Sequence, residues 1–367
     1  MKKILKQKKG ITLIALVITI IVLLILAGIS ISMLAGDNSI LQKATDTKKI
    51  TNFANLREEA QMVLLGRQTN SIAYMVNTSL KTDLEKGISG EKTVTEANGC
   101  PDTCYVKRAD TEITVYEDGD VLEGKVTVWD GTSTESPKFK EFNWYIYTPA
   151  QLKFLADFVN NGNALTSEQE TLISEAGYRA SDVKMESTTM VYLMNNLDFG
   201  ARAGAGVSEE QRWKTESNEA KKWTPIGIDN STKKFIGIFE GNNNTIKGLY
   251  LNRTETFSGI FGNSNTIQNL SITNSYIEGT TCTGGIVGAL RSGKIENCHN
   301  KNTTVILKEG NYRTVGGVVG QVSPGTEGAF KCSNTGTIIG YGIYTDQNLD
   351  ETKCGGVVGL LATTRHY

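Results

Sequence analysis

A glycine-bounded tetrapeptide recurs along the C-terminal part of the chain and decides the fold prediction. Its five copies are Gly237-Ile238-Phe239-Glu240, Gly259-Ile260-Phe261-Gly262, Gly285-Ile286-Val287-Gly288, Gly317-Val318-Val319-Gly320 and Gly356-Val357-Val358-Gly359. Successive copies are spaced by 22, 26, 32 and 39 residues. Short apolar strands at such a period predict stacked β units, because one unit buries little apolar surface while several bury a continuous core.

A second apolar element follows the tetrapeptide within most units, at 246–251, 267–272 and 295–298, and in degraded form at 330–334. Alternating apolar residues place one row of side chains inward and one row in water. We predict that Ile238, Ile260, Ile286, Val318 and Val357 occupy equivalent places in successive units. The sequence ends 11 residues after Gly356 without a polar cap, so either it is cut short, which we expect, or its open edge docks on a partner.

These repeats resemble the GLUG repeat of bacterial surface proteins. The likeness lies in Trp223-Thr224-Pro225-Ile226-Gly227, in residues 239–246 and in the tetrapeptides, and residues 145–199 resemble the lead-in of such proteins. It implies a mainly β protein with an N-terminal α part and a C-terminal right-handed parallel β-helix, or solenoid, over 227–367, after a strand–helix–strand lead-in over 142–226. The glycines that define the repeat are then Gly237, Gly259, Gly285, Gly317 and Gly356.

The amino terminus carries the charge pattern of a membrane anchor. Residues 2–9 include five lysines, and residues 10–36 include no charge. The apolar run 11–35 makes roughly 37 Å of helix, which spans a bilayer. The lysines place the N-terminus in the cytoplasm and the rest of the chain outside. A cleaved secretory signal is disfavoured because the run is too long, and a plain signal anchor stays an alternative.

The junction Lys8-Lys9-Gly10-Ile11 resembles the class III leader (1–10) of type IV prepilins and pseudopilins. The resemblance implies cleavage between Gly10 and Ile11 by prepilin peptidase, methylation of Ile11, and assembly with pilus or pseudopilus subunits. Two residues depart from the family pattern. Ile11 replaces the usual Phe, and Ala15 replaces the usual Glu, which argues against major-pilin behaviour.

Residues 36–136 are predicted to form an amphipathic helix and a small pilin-like α+β head. Apolar residues recur at helical spacing from Ile40 to Leu64, and Gly66 is expected to end the helix. A second helix is expected within 72–84. Strand patterns follow up to Trp129, and Asp118-Gly119-Asp120 predicts a hairpin turn rather than a calcium site.

The lead-in is predicted from strand and cap signals. Residues 144–147 and 190–193 have strand patterns, and between them Thr148-Pro149 predicts a helix start that Asn161-Gly162 ends.

Composition excludes several kinds of chemistry. With 38 basic and 39 acidic residues, the chain is not a nucleic-acid binder that works by bulk positive charge. Two histidines cannot build a His-rich metal site, and no HExxH, P-loop or GxSxG motif occurs. The residues Glu278, Glu296, Arg253, Arg291 and Arg313 are scattered, so a β-helix polysaccharide-degrading enzyme is only a third alternative. We therefore expect no enzyme, no cofactor and no metal.

Six cysteines complete the set of candidate residues. Cys100 and Cys104 are expected to form a disulfide in an exported protein. Cys298 and Cys332 are expected to be stacked inward thiols, with inter-rung disulfides as the alternative, and Cys282 and Cys354 precede equivalent tetrapeptides.

The sequence thus predicts a single-pass, exported cell-surface protein. We expect a minor pilin-like or pseudopilin-like subunit that displays a β-solenoid for adhesion, with a carbohydrate or another cell-surface molecule as ligand. The alternative is a membrane-anchored adhesin that never enters a filament.

Overall fold

The computed structural model describes residues 40–72, 78–97, 100–229, 231–253, 256–308, 314–341 and 352–362. The chain divides into two compact units, Met1–Lys125 and Val126–Tyr367. The described part is mainly β, with several parallel sheets and few helices. The predicted leader and the apolar run 11–35 lie outside the described residues. Of the helices that the structure describes, none is long and apolar enough to cross a membrane.

The first unit packs helices against an antiparallel sheet. Its elements are α1 (Ile40–Ile72), α2 (Leu80–Gly87), β1 (Thr93–Ala97), β2 (Cys100–Arg108), β3 (Thr111–Tyr116) and β4 (Val121–Glu123), with the strands in chain order. Buried Leu56, Ala60 and Leu64 of α1 belong to the same apolar cluster as Ile113 of β3. One side of α1 is thereby fixed on the sheet.

Two sequence predictions for this unit have different outcomes. The hairpin turn is confirmed, because β3 and β4 pair antiparallel around Gly119, whose φ is 103°. The predicted end of the helix at Gly66 is wrong, because α1 continues to Ile72. Glu117, directly before this turn, accepts hydrogen bonds from Arg67 at 2.9 and 3.0 Å.

The second unit begins at Val126, ten residues before the predicted end of the head at residue 136. Trp129, expected in the head, packs edge-on against Phe199 and Trp223 with ring centroids 5.3 and 6.4 Å away. The elements that follow are β5 (Lys138–Lys140), β6 (Asn143–Ile146), α3 (Pro149–Asn160), α4 (Ser167–Glu175), a 3-10 turn (Ala180–Asp182), β7 (Met190–Leu193), β8 (Leu197–Asp198), α5 (Glu209–Trp213) and α6 (Glu216–Glu219).

The strand–helix–strand prediction for the lead-in is confirmed. Thr148 caps α3 by accepting a hydrogen bond from the backbone N–H of Gln151 at 3.2 Å, and Pro149 is the first helical residue. Asn161 ends the helix, and Gly162 follows with a φ of 78°.

Seventeen further strands complete the described part of the second unit. They are β9 (Phe235–Glu240), β10 (Thr245–Lys247), β11 (Tyr250–Asn252), β12 (Phe257–Ser258), β13 (Phe261–Thr273), β14 (Tyr276–Gly279), β15 (Cys282–Gly284), β16 (Val287–Leu290), β17 (Lys294–Lys301), β18 (Thr304–Leu307), β19 (Thr314–Gly316), β20 (Val319–Val322), β21 (Gly328–Phe330), β22 (Ser333–Asn334), β23 (Thr337–Gly340), β24 (Lys353–Gly355) and β25 (Val358–Leu361).

These strands form one large sheet and two smaller parallel sheets. The large sheet runs in the order β25-β20-β16-β13-β9-β7-β6-β5, with β8, β10, β17, β21 and β22 attached beside that path. The smaller sheets have the orders β11-β14-β18-β23 and β12-β15-β19-β24. Within the described residues of this unit, every strand pair except the antiparallel β5–β6 is parallel, so residues of one strand lie beside residues about one repeat later in the chain.

Rows of buried side chains run across the parallel pairs in register. One row contains Trp144, Val191, Phe239, Ile267 and Ile295, each paired with the next. All five belong to a single apolar cluster. The lead-in strands therefore belong to the same sheet and the same core as the repeats.

A second row runs through the tetrapeptides and corrects the predicted equivalence. Phe261, Val287, Val319 and Val358 are successive partners, as the alignment of these four copies predicts. The first copy does not join them, because Phe239 pairs with Ile267 instead of Phe261. Ile226 is the residue that bridges to Phe261 from the preceding unit.

The physical reason lies in the fourth residue of the tetrapeptide. Where Gly262, Gly288 and Gly320 lie, an added Cβ would stand 2.3 to 2.8 Å from a backbone oxygen of the neighbouring unit. Such a place admits only glycine. The first copy ends in Glu240, which cannot fit there, whereas Gly227 after Ile226 can.

This register predicts different effects for two aspartate substitutions. Ile286→Asp places a charge at a fully buried position, so we expect a loss above about 4 kcal/mol and no cooperative unfolding of the second unit. Ile238→Asp changes a half-buried side chain that points away from the core, so we expect a loss of about 1 kcal/mol. Thermal unfolding followed by circular dichroism measures both. Similar losses for the two variants would contradict the register.

Candidate functional site

An outward row of polar and aromatic side chains crosses the large sheet beside the lead-in. Because Trp144, Val191 and Phe239 point into the core, the next residue of each strand points outward. These outward residues pair in the order Tyr145, Tyr192, Glu240 and Gln268. All four side chains are half-buried.

The two tyrosines are stacked on each other. Their ring centroids lie 5.1 Å apart with an interplanar angle of 21°. Beside them Met190 pairs with Ile238, and both are half-buried. We call the surface formed by Tyr145, Tyr192, Met190, Ile238, Glu240 and Gln268 the tyrosine face. Aromatic and methionine side chains at the surface are typical of binding sites.

Glu240, the one carboxylate of the tyrosine face, is held by its neighbours. It accepts hydrogen bonds from the backbone N–H of Asn242 at 2.7 Å, from Nε2 of Gln268 at 2.8 Å and from Nδ2 of Asn269 at 3.0 Å. These bonds spread its charge and fix its position. The face is therefore pre-organised before any ligand arrives.

The edge of the tyrosine face carries backbone strain and two lysine–aromatic contacts. Glu141 and Phe142, in the turn between β5 and β6, have φ values of 53° and 64°, which non-glycine residues rarely adopt. Phe142 is 51% exposed, and Nζ of Lys184 lies 4.7 Å from its ring centroid. Nζ of Lys138 lies at the same distance from the ring of Tyr147. Strain of this kind often marks a functional surface.

A different outer face, that of the sheet β11-β14-β18-β23, is covered by residues 208–222, which we call the strap. Trp213 of the strap is 4% exposed and stacks on Tyr276, which stacks on Tyr250, with centroid separations of 6.0 and 5.6 Å. Lys214 pairs with Glu278 at 2.9 Å. In the sequence, Glu278 is not grouped with other charged residues. In the structure, its ion pair with Lys214 holds the strap on the sheet.

Carboxylates of the strap are held in the charged form. The hydrogen bond from Lys308 lowers the pKa of Glu210. Burial alone would raise the pKa of Glu219, but hydrogen bonds from Tyr250 and Asn252 lower it. A glycosidase acid needs a carboxyl pKa that is raised instead. These carboxylates thus serve to fasten the strap.

A buried charge cluster lies where the lead-in joins the repeats. Asp198 is fully buried and accepts hydrogen bonds from Arg202 at 3.0 and 2.7 Å and from the backbone N–H of Gly200 at 2.8 Å. Lys247, also fully buried, is its partner across the pair β8–β10. Burial raises the pKa of the Asp198 carboxyl, but Arg202 and Lys247 outweigh it and the pKa is lowered. The cluster fastens β8 to β10.

We expect Asp198→Asn to destabilise the second unit. The substitution takes the carboxylate away from the fully buried Lys247 and from the partly exposed Arg202, so the loss at pH 7 should be about 3 kcal/mol. Because the pKa of Asp198 is lowered on folding, its contribution is present above the ordinary carboxyl pKa and is lost as the pH falls through the folded value.

Urea unfolding at several pH values measures this contribution. The difference between wild type and variant should shrink below about pH 4. Asp157→Asn, which removes a partly exposed partner of Lys153 on α3, is the control, with a loss of at most about 0.5 kcal/mol. Equal stability of wild type and Asp198→Asn at pH 7 would refute the role of the cluster.

The cysteines have different environments. Cys298 on β17 is buried, and Cys332, the residue before β22, is half-buried. The two lie beside each other, since the residues that follow them, His299 and Ser333, are paired. Burial raises the pKa of both thiols, which makes them poor nucleophiles.

The Cys100–Cys104 disulfide stays a prediction. Both residues lie on β2, where Cys100 pairs with Ala97 and Cys104 pairs with Glu96. Burial raises the pKa of Cys104 to about 12.

Cys282 and Cys354 are not equivalent in the stack. Cys282 pairs with Thr314, which pairs with Lys353, so Cys354 is displaced by one residue. A displacement by one residue turns a side chain to the other face of the strand. The two cysteines therefore precede their tetrapeptides at similar distances in the sequence but do not occupy equivalent places in the structure.

The other predicted site residues are placed as follows. Gly10, Ile11 and Arg313 lie outside the described residues. His299 faces away from the core, and its ring nitrogens lie 2.8 Å from Oγ of Ser333 and 3.0 Å from Oδ1 of Asn297. Glu296 pairs with Lys294 at 2.5 Å, and Arg291 hydrogen-bonds Ser323 at 2.8 Å. Within the described residues no group of three His, Cys, Asp or Glu side chains could hold a metal ion.

Comparisons with known proteins give two partial similarities. No protein-family model matches the chain. Over 183 residues the chain is 34% identical to halomucin of Haloquadratum walsbyi (strain DSM 16790 / HBSQ001). The aligned region covers 48% of this chain and 2% of halomucin. A crystal structure of a candidate immunoglobulin A1 protease from Bacteroides ovatus aligns with a TM-score of 0.30 and 11% identity, over 61% of this chain and 86% of that one.

Proposed function

We propose that the protein is a cell-surface subunit with a prepilin-like anchor that displays a right-handed parallel β-solenoid for adhesion. The N-terminus lies in the cytoplasm, residues 11–35 cross the membrane, and the remainder is outside. In this proposal, prepilin peptidase processes the chain, and pilus or pseudopilus subunits are its assembly partners. The protein has no catalytic role.

The observation that carries the proposal is the in-register pairing of successive units. Phe261, Val287, Val319 and Val358 lie in one row, and Leu251, Ile277, Val305 and Ile338 lie in another. Parallel strands that follow each other in this way favour a coil of stacked rungs, and parallel crossovers are almost always right-handed. A coil of this kind is a rigid body that holds a binding surface away from the membrane.

The first unit supports the assignment to pilin-like subunits. Its helix α1 has one side buried on an antiparallel sheet, and on the other side Ile50, Met62 and Leu65 are 68%, 68% and 61% exposed. At 3.6 residues per turn these three residues fall within about one third of the helix circumference. An apolar side of this kind fits contacts with neighbouring subunits of a filament.

One residue favours the alternative of an anchored adhesin outside any filament. Ala15 would be the fifth residue after cleavage, where the pilin family has a glutamate that meets the terminal amine of a neighbour. Without that carboxylate the amine of the neighbour stays uncompensated in an apolar surrounding.

We expect mass spectrometry of the native protein to show cleavage after Gly10. Removal of the 10-residue leader leaves 357 of the 367 residues, and the loss of five lysines changes the formal net charge from −1 to −6. Membrane fractionation and protease treatment of intact cells should place the remaining chain outside. An intact Met1–Gly10 segment on the exported protein would contradict the prepilin assignment, and cytoplasmic protection of the second unit would contradict surface display.

We also expect Ala15→Glu to increase the amount of protein that co-purifies with filaments. The new carboxylate can pair with the amine of a neighbouring subunit, which offsets its own desolvation. Quantitative immunoblotting of sheared filaments measures the change, and Ala15→Gln, which has nearly the same shape without the charge, is the control. If wild type is already abundant in filaments, or if Gln acts like Glu, the carboxylate is not what limits assembly.

A further inference from the structure

We propose that the tyrosine face binds a neutral, β-linked hexose polymer that lies across the strands of the large sheet. The inference rests on the proposed function, because it names the ligand through which the displayed unit adheres. It is carried by the geometry, the charge and the edge structure of that face.

The geometry provides two parallel rows of different character. One row contains the phenols of Tyr145 and Tyr192 followed by Glu240 and Gln268, and the row beside it contains Met190 and Ile238. A hexose ring has apolar C–H faces and hydroxyl edges, so it can contact both rows at once. Stacking holds the two phenols side by side, with ring centroids 5.1 Å apart.

The spacing favours a polymer over a single sugar. Side chains of one row recur at the distance between neighbouring strands, about 4.8 Å. A linear β-linked hexose chain has a repeat of similar length, so successive rings would meet successive side chains. Rotation of the side chains is already restricted by stacking and by hydrogen bonds, which reduces the entropy that binding costs.

The charge along the outward row disfavours a polyanion. Glu240 already accepts hydrogen bonds from Asn242, Gln268 and Asn269. In register the row continues to the exposed Lys138 beside Tyr145 and to Glu296 beside Gln268, so it carries two carboxylates and one amine. Acidic ligands are recognised by arginine or lysine clusters, and a single lysine beside two carboxylates is not such a cluster.

An extended peptide fits less well than a glycan. Peptide strands add to the edge of a sheet, where backbone groups are open, rather than to its face. Here the strands β6, β7 and β9 are paired with neighbours on both sides. A folded protein partner is left as an outcome of the test.

The test measures binding of cellohexaose and hexa-N-acetylchitohexaose to the full chain in detergent by isothermal titration calorimetry. Polygalacturonate is the acidic comparison. We expect at least one neutral hexamer to bind and polygalacturonate to bind more weakly. The double variant Tyr145→Phe with Tyr192→Phe keeps both rings, so the fold is retained, but it should weaken hexamer binding by about tenfold or more, because two hydrogen-bonding hydroxyls are lost. Tyr105→Phe on β2 is the matched control and should bind like wild type.

Four results would overturn the inference. They are no binding of either hexamer to wild type, equal binding by the double variant, tighter binding of polygalacturonate than of the hexamers, and capture of a protein partner that needs the two hydroxyls while no hexamer binds. None of them bears on leader cleavage or surface exposure, so failure of this inference is distinguishable from failure of the proposed function.

Discussion

The second unit, Val126–Tyr367, depends on parallel, in-register pairing between repeats that are distant in the chain. A single strand such as β9 has six residues and cannot bury an apolar row alone. Pairing with β7 on one side and β13 on the other satisfies its backbone and places Phe239 between Val191 and Ile267. Each unit is thus stable only because the next one is present.

The same constraint determines the surfaces. Once one row points inward, the alternate row points outward, so the stacked tyrosines and the paired Met190 and Ile238 follow from the core register. The outer face of β11-β14-β18-β23 is also aromatic, but Trp213 and the ion pair between Lys214 and Glu278 cover it. Of these two aromatic outer faces, the tyrosine face is the one whose side chains stay partly exposed to solvent.

Local signals in the sequence were sufficient for several elements, although not for the end of α1, and insufficient for the register. Thr148-Pro149 and Asn161-Gly162 mark both ends of α3, and Gly119 marks the hairpin, because caps and turns depend on a few adjacent residues. The partner of Phe239 depends on contacts 28 residues away, and the alignment of tetrapeptides chose the wrong one. The sequence did contain the deciding signal, since Glu240 replaces a glycine that no other residue can substitute. The tyrosine face could not be seen in the sequence, because its residues come from four separate strands. The strap could not be seen because Lys214 and Glu278 are 64 residues apart.

Cysteine cross-linking measures the register most directly. In a background without the native cysteines, Ile238→Cys combined with Thr266→Cys joins positions that are partners across β9 and β13, and their separation of about 4.8 Å lies within disulfide range. Ile238→Cys combined with Ile260→Cys tests the register that equivalence of the tetrapeptides would require. After mild oxidation and proteolysis, mass spectrometry should detect the 238–266 disulfide and not the 238–260 disulfide. The opposite result would contradict the pairing on which the core, the tyrosine face and the proposed solenoid all depend.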